Sequence, residues 1–211
     1  MTIPLQSSSK LLFIGDSITD CGRRDDAELL GHGYVRTIRD YLAATHRASV
    51  PAIINRGISG NKIPDLQTRW DRDVIGIAPD ILSIYIGIND VWHSFAPGGA
   101  GCTINDYISG YRDILTRTRK QLPACKVVLC EPSVIWIDQP KDANERIKPY
   151  ADAVQKIAGE FGIEHVVPLY QTFNTAKKLR EDIALTNDGV HPTSAGHMLI
   201  AMTWMKTVGC Q

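Results

Sequence analysis

Five short apolar runs recur along the chain, each of strand length and each followed by a longer segment of helical period. They cover Lys10–Gly15, Ala52–Asn55, Ile81–Ile86, Lys126–Cys130 and Glu164–Val167. This alternation predicts βα units and a parallel sheet, because each strand needs a crossover before the next can run the same way. The runs are nearly continuous in Val, Ile and Leu, as in strands covered on both faces. Helices are predicted over Gly33–Thr45, Pro64–Ile75, Ile104–Gln121, Glu145–Phe161 and Ser194–Val208. In the last of these, Ala195, Met198, Leu199, Met202 and Met205 recur at spacings of three and four, which predicts a stripe packed on the sheet. The expected class is α/β, with strand order left open by spacing alone.

A sheet covered on both faces needs a large core, and the composition supplies it. The 211 residues are 44% apolar and 22% charged, enough for one domain over residues 1–211 without disulfides or metals. The segments Cys21–Gly31 and Ala96–Gly101 read as surface loops, not linkers. Lys plus Arg (23) balances Asp plus Glu (23) with no basic stripe, which excludes the electrostatic footprint of a nucleic-acid partner. No apolar run approaches the ~18–20 residues that span a bilayer. Met1–Ser9 lacks the basic and apolar regions of a secretory signal. Cys21, Cys102, Cys125, Cys130 and Cys210 are odd in number and form no Cys-x-x-Cys pair, so they read as reduced thiols, and a cytoplasmic protein is expected.

Ligands of open α/β sheets collect beyond the carboxyl ends of the strands. The first run ends there in Gly15-Asp16-Ser17, which places a hydroxyl on the turn after a buried strand. A serine becomes a nucleophile only with a base in hydrogen-bond reach and a third group to orient that base. Asp188-Gly189-Val190-His191-Pro192 supplies both from one loop: Gly189 permits a tight turn, and Pro192 keeps His191 ahead of the closing helix. Donors for an oxyanion are available from the Ser17 N–H, from Gly60 after the second run, and from the Asn89 amide after the third. Singly, each is an ordinary turn, loop glycine or helix cap. Together, three follow strands directly and all occur in the order the chemistry needs.

These blocks, Gly15-Asp16-Ser17, Gly60, Gly87-x-Asn89-Asp90 and Asp188-x-x-His191, resemble those of the SGNH hydrolases, also called GDSL esterases and lipases. The likeness runs from Leu12 to the closing helix and departs at Ile18, where the family name has leucine. It implies a flavodoxin-like three-layer αβα sandwich on a five-stranded parallel sheet. It also implies Ser17, Asp188 and His191 as triad, and Ser17, Gly60 and Asn89 as oxyanion hole. Leu-Leu-Phe-Ile-Gly-Asp-Ser-Ile-Thr-Asp-Cys-Gly-Arg, Gly-Ile-Ser-Gly-Asn, Ile-Gly-Ile-Asn-Asp-Val-Trp and Val-His-Pro-Thr-Ser-Ala-Gly-His resemble the branch of intracellular bacterial acetylxylan esterases. That branch implies acetylated xylo-oligosaccharides as substrates and raises a homo-oligomer as an expectation. The rival readings are a lysophospholipase or thioesterase and, from another class, an inactive carbohydrate-binding module.

Asp16, Trp92 and Trp136 are candidate substrate contacts; each tryptophan reads equally as core or rim packing, and Asp16, with Asp20 and Asp90, reads as a brace of its loop. Trp70 and Trp204 fall within helices and read as core. Ser59 is the rival nucleophile but lacks a Gly-x-Ser-x-Gly elbow. His93 is near Asn89 and reads as a surface or hydrogen-bonded histidine; His32, His46, His165 and His197 have no acidic partner at a telling spacing. Phosphate-loop, dinucleotide and His-Glu-x-x-His motifs are missing, so no cofactor or metal is expected.

Overall fold

A computed structural model describes residues 2–95, 99–133, 142–179 and 182–210. Five strands, β1 (Lys10–Gly15), β2 (Ala52–Gly57), β3 (Ile81–Tyr85), β4 (Lys126–Cys130) and β5 (His165–Val167), form one parallel sheet in the order β2-β1-β3-β4-β5. This is the flavodoxin-like order, whose direction of winding switches between β1 and β3. β2 runs two residues beyond the expected end, because Arg56 and Gly57 pair with Ile14 and Gly15.

Successive side chains of a strand point to opposite faces, and β1 shows why both are covered. Leu11 and Phe13 enter one core with Ile38 and Leu42 of α2 (Tyr34–Thr45), Phe173 of α7 (Leu169–Leu179), and Ile200 and Trp204 of α8 (Ser194–Val208). Leu12 and Ile14 enter the other. There they meet Leu66 and Trp70 of α3 (Ile63–Trp70), Tyr111 and Ile114 of α5 (Ile104–Gln121), and Val154 and Ile157 of α6 (Ala143–Glu160). Two further helices, α1 (Ser17–Asp20) and α4 (Ile88–Trp92), follow β1 and β3 directly. They are too short to show a period in sequence. α7 carries one weak signal, Leu169 and Phe173 at a spacing of four, both buried. Among the described residues no helix is long and apolar enough to cross a membrane.

The buried face of α8 differs in part from the expected stripe. His197, Ile200, Ala201, Trp204, Met205 and Val208 face the core and Leu199 packs against it, so part of the stripe is where it was expected, while Met198 and Met202 are 48% and 49% exposed. Trp204 sets the rotation. Its indole N–H donates to Ser83 Oγ in the middle of β3 at 3.0 Å, and its ring lies 5.3 Å from that of Phe13. Turning Met198 and Met202 inward would expose the largest side chain of the helix and strand its N–H donor. Trp204→Ala should therefore cost about 3–5 kcal/mol in a urea titration. Met198→Ala should stay within about 0.5 kcal/mol. The reverse ranking would restore the methionine stripe.

Candidate active site

Ser17 opens α1, immediately beyond β1. The first N–H groups of a helix have no intrahelical acceptor, so the Ser17 amide faces outward. The next one, Ile18 N–H, is taken by Asp16 Oδ1 at 3.0 Å. α1 lies hard against the sheet: a Cβ on Gly57 would come within 2.2 Å of the Asp20 nitrogen. The turn that carries the hydroxyl is thus held close against the sheet.

The segment from Leu185 to Thr193 doubles back on itself ahead of α8. Asn187 N–H donates to the His191 carbonyl at 2.9 Å and Thr193 N–H to the Leu185 carbonyl at 3.0 Å. Gly189 turns the chain at φ +85°, a left-handed conformation that other residues adopt with strain. At its tip Asp188 Oδ1 accepts from the N–H groups of Val190 and His191 at 2.9 and 2.8 Å. Its other oxygen lies 2.7 Å from His191 Nδ1, and His191 Nε2 lies 3.0 Å from Ser17 Oγ. Partial burial lifts the Asp188 carboxyl, but the His191 and Val190 N–H groups and the imidazole outweigh it and hold the group at about 2. An ionised Asp188 can only accept, so Nδ1 carries a proton toward it, and Nε2 is the ring nitrogen that faces the serine. Both side chains are about half exposed, at 51% and 53%, so water reaches the pair.

The loops after β2 and β3 complete the end of the sheet. Gly60 sits at φ +81°, and a Cβ there would meet nothing within 4 Å, so backbone conformation and not crowding demands glycine. Asn89 is buried, and its Nδ2 donates one hydrogen to the Asn61 carbonyl at 3.1 Å, which fixes the amide and leaves the second hydrogen for a ligand. Asp20 Oδ2 accepts from the Ser59 N–H and hydroxyl at 3.2 and 2.9 Å, and Ile58 N–H donates to the Gly15 carbonyl at 3.1 Å. Ser59 is thereby committed to a carboxylate. Asn61 was not legible as a site residue, because its part depends on which distant amide its carbonyl meets.

Asp16 is a correction to the expected substrate contacts: it is 1% exposed and braces the turn from within. Asp90 is its counterpart, accepting from the Ile63 N–H at 3.1 Å. Trp92 ends α4, partly exposed, with its ring 6.1 Å from Phe95. Trp136 lies outside the described residues. His197 is buried; its Nδ1 accepts from the Tyr34 N–H at 3.2 Å, and burial lowers it to about 4, so it is a neutral core group. Among the described residues no cluster of three His, Cys, Asp or Glu could hold a metal ion.

Residues 13–199 match the model of the GDSL-like Lipase/Acylhydrolase family. An acetylxylan esterase of Geobacillus stearothermophilus is 36% identical, over 96% of this chain and 95% of its own. The crystal structure of Axe2, an acetylxylan esterase from that organism, superimposes with a TM-score of 0.90 at 34% identity, covering 99% of this chain and 98% of the other. Catalytic mutants of Axe2 replace an aspartate, a serine or a histidine by alanine. A putative GDSL-like lipase from Parabacteroides merdae superimposes at 0.88 with 36% identity over the full length of both chains.

The buried acids give the site a pH signature. Burial lifts Asp16 to about 7, with the Ile18 N–H opposing and Asp90 adding to the rise; burial likewise lifts Asp90 to about 6. Folded Asp16 keeps its proton well above the ordinary carboxylate value of 3.8, so its contribution to stability is full below that value. It declines as pH rises toward 7. Asp16→Asn retains the acceptor for Ile18 and has no proton to lose. Its melting temperature should fall less than the wild type's between about pH 4 and 7. Parallel melting curves across that range would show that Asp16 does not titrate there.

Proposed function

This chain belongs to the GDSL-like Lipase/Acylhydrolase family and is a carboxylic ester hydrolase, and we propose that Ser17, His191 and Asp188 carry its chemistry. The observation that carries this reading is the continuous path from Asp188 through His191 to Ser17, at 2.7 and 3.0 Å. His191 Nε2 takes the hydroxyl proton as Ser17 Oγ attacks the ester carbonyl, and Asp188 stabilises the imidazolium. The Ser17 N–H, the Gly60 N–H and the Asn89 amide receive the oxyanion. His191 then protonates the departing alcohol. In the second half it activates water, which releases the acid and restores Ser17.

The proposed substrates are acetylated carbohydrates such as xylo-oligosaccharides. The likeness to acetylxylan esterases over nearly the whole chain supports this. A half-exposed base also suits an alcohol portion that stays in water, as a sugar does. We place the protein in the cytoplasm, acting as one domain without cofactor or nucleic-acid partner, since its five free cysteines suit a reducing compartment.

Ser17→Ala should cut hydrolysis of acetylated xylo-oligosaccharides by roughly 10⁵-fold while leaving the melting temperature in place. Residual turnover near wild type would move the nucleophile elsewhere. Asn89→Ala should lower kcat by about 10²–10³-fold with KM changed little, since its donor matters once charge has developed. On a ladder of synthetic esters acetyl should be preferred to octanoyl. The opposite preference would favour a lipid acyl hydrolase.

A further inference from the structure

A buried guanidinium lies at the foot of the loops that follow β1 and β2. Arg69 lies near the end of α3 with its side chain 7% exposed. Its Nη2 donates to the Gly15 carbonyl at 3.0 Å, two residues before Ser17. Its Nη1 donates to the Arg56 carbonyl at 2.8 Å, four residues before Gly60. Its Nε donates to Asn61 Oδ1 at 2.8 Å, and the carbonyl of that same Asn61 accepts the Asn89 amide. The segments carrying Ser17 and Gly60 are therefore tied directly to one planar group, and the Asn89 amide is tied to it through Asn61.

We propose that Arg69 is a positioning residue, whose grip on the Gly15 and Arg56 carbonyls and the Asn61 side chain sets the spacing of the oxyanion donors. The proposal rests on the serine-esterase reading above. A guanidinium suits the task because its donors leave one rigid plane in fixed directions, so three acceptors, at the ends of β1 and β2 and in the loop after β2, are held at fixed separations. Its charge is met by Asp73 Oδ2 at 2.9 Å, and Arg72 holds the same carboxylate from the solvent side at 2.8 and 2.9 Å. Asp73 belongs to a π-helical turn, Asp71–Ile75, that continues α3. At the other end of α3, Ile63 N–H donates to Asp90, the neighbour of Asn89. One helix thus fixes the Asn89 loop from its start and the ends of β1 and β2 from its end.

A plain fold staple and a positioning residue differ in kinetics. The experiment measures kcat and KM on 4-nitrophenyl acetate for Arg69→Lys, Asn61→Ala, Asn89→Ala and the Arg69→Lys/Asn89→Ala pair. Rates are expressed per active site titrated with an organophosphonate, so misfolded protein drops out. Lysine keeps the charge but not the fork. Arg69→Lys should lower kcat per site by about 10–100-fold with KM within about threefold, the scale of a misplaced catalytic group. In the Asn89→Ala background its factor should be smaller, because one of the three donors that it positions is already gone. An unchanged kcat per site, a larger KM effect, or an undiminished factor in the Asn89→Ala background overturns the proposal. If Arg69→Lys yields no titratable protein, Asn61→Ala decides alone: it cuts the relay but leaves the Arg69–Asp73 pair, and should lower kcat per site at least about tenfold. No loss there overturns the proposal. An Asn89→Ala protein with wild-type kcat would instead defeat the oxyanion reading itself.

Discussion

The inner strands β1 and β3 have no face open to water, and the rest of the molecule is arranged around that fact. Leu11 and Phe13 go to one core and Leu12 and Ile14 to the other, so neither face of β1 has room for a reactive side chain. Polar chemistry is driven to where the strands stop. There the winding order sends the chain away from β1 and β3 in different directions, leaving a gap at the carboxyl end of the sheet. Ser17 and Asn89 stand at the ends of those two strands, on helices of four and five residues.

Beneath that end the protein keeps ionisable groups where a core would reject charge. Asp16, Asp90, Arg69 and Asp73 are all buried, and unpaired ions in such a setting are heavily disfavoured. Two solutions are in use. Arg69 and Asp73 neutralise each other, while Asp16 and Asp90 have their carboxyls pushed upward and each accept a backbone N–H. Asp188 is the contrast. Half exposed and fed by two backbone N–H groups, it stays ionised and can orient an imidazole.

Much of this was legible in the chain, for reasons specific to each element. β1, β4, α5 and α8 fall where the apolar runs and turn residues put them, because their signals are local and strong. The face of α8 was misread in part since periodicity counts methionines equally with tryptophan, whereas packing follows the side chain with most area and a donor to satisfy. α1 and α4 escaped because a helix of one turn leaves no period. At the site, Ser17 and the Asp188–His191 pair could be read because each lies in a short motif that follows a strand or precedes a helix. Arg69 could not. In sequence it is a basic residue in a polar stretch of helix, and only the convergence of the ends of β1 and β2, with Asn89 reached through Asn61, gives it a task.

Ser17 and His191 meet across 174 positions of the chain, and they are secured very differently. The turn bearing the hydroxyl is bolted to the middle of the sheet. The imidazole hangs from a short doubled-back strip whose footing is the start of the terminal helix, closed by a single bridge between Thr186 and Pro192. Loosening that strip would part the two reacting atoms while both cores stayed shut. Turnover is therefore the more fragile property of this enzyme, and a preparation could lose it while its spectroscopic signature of folding remained whole.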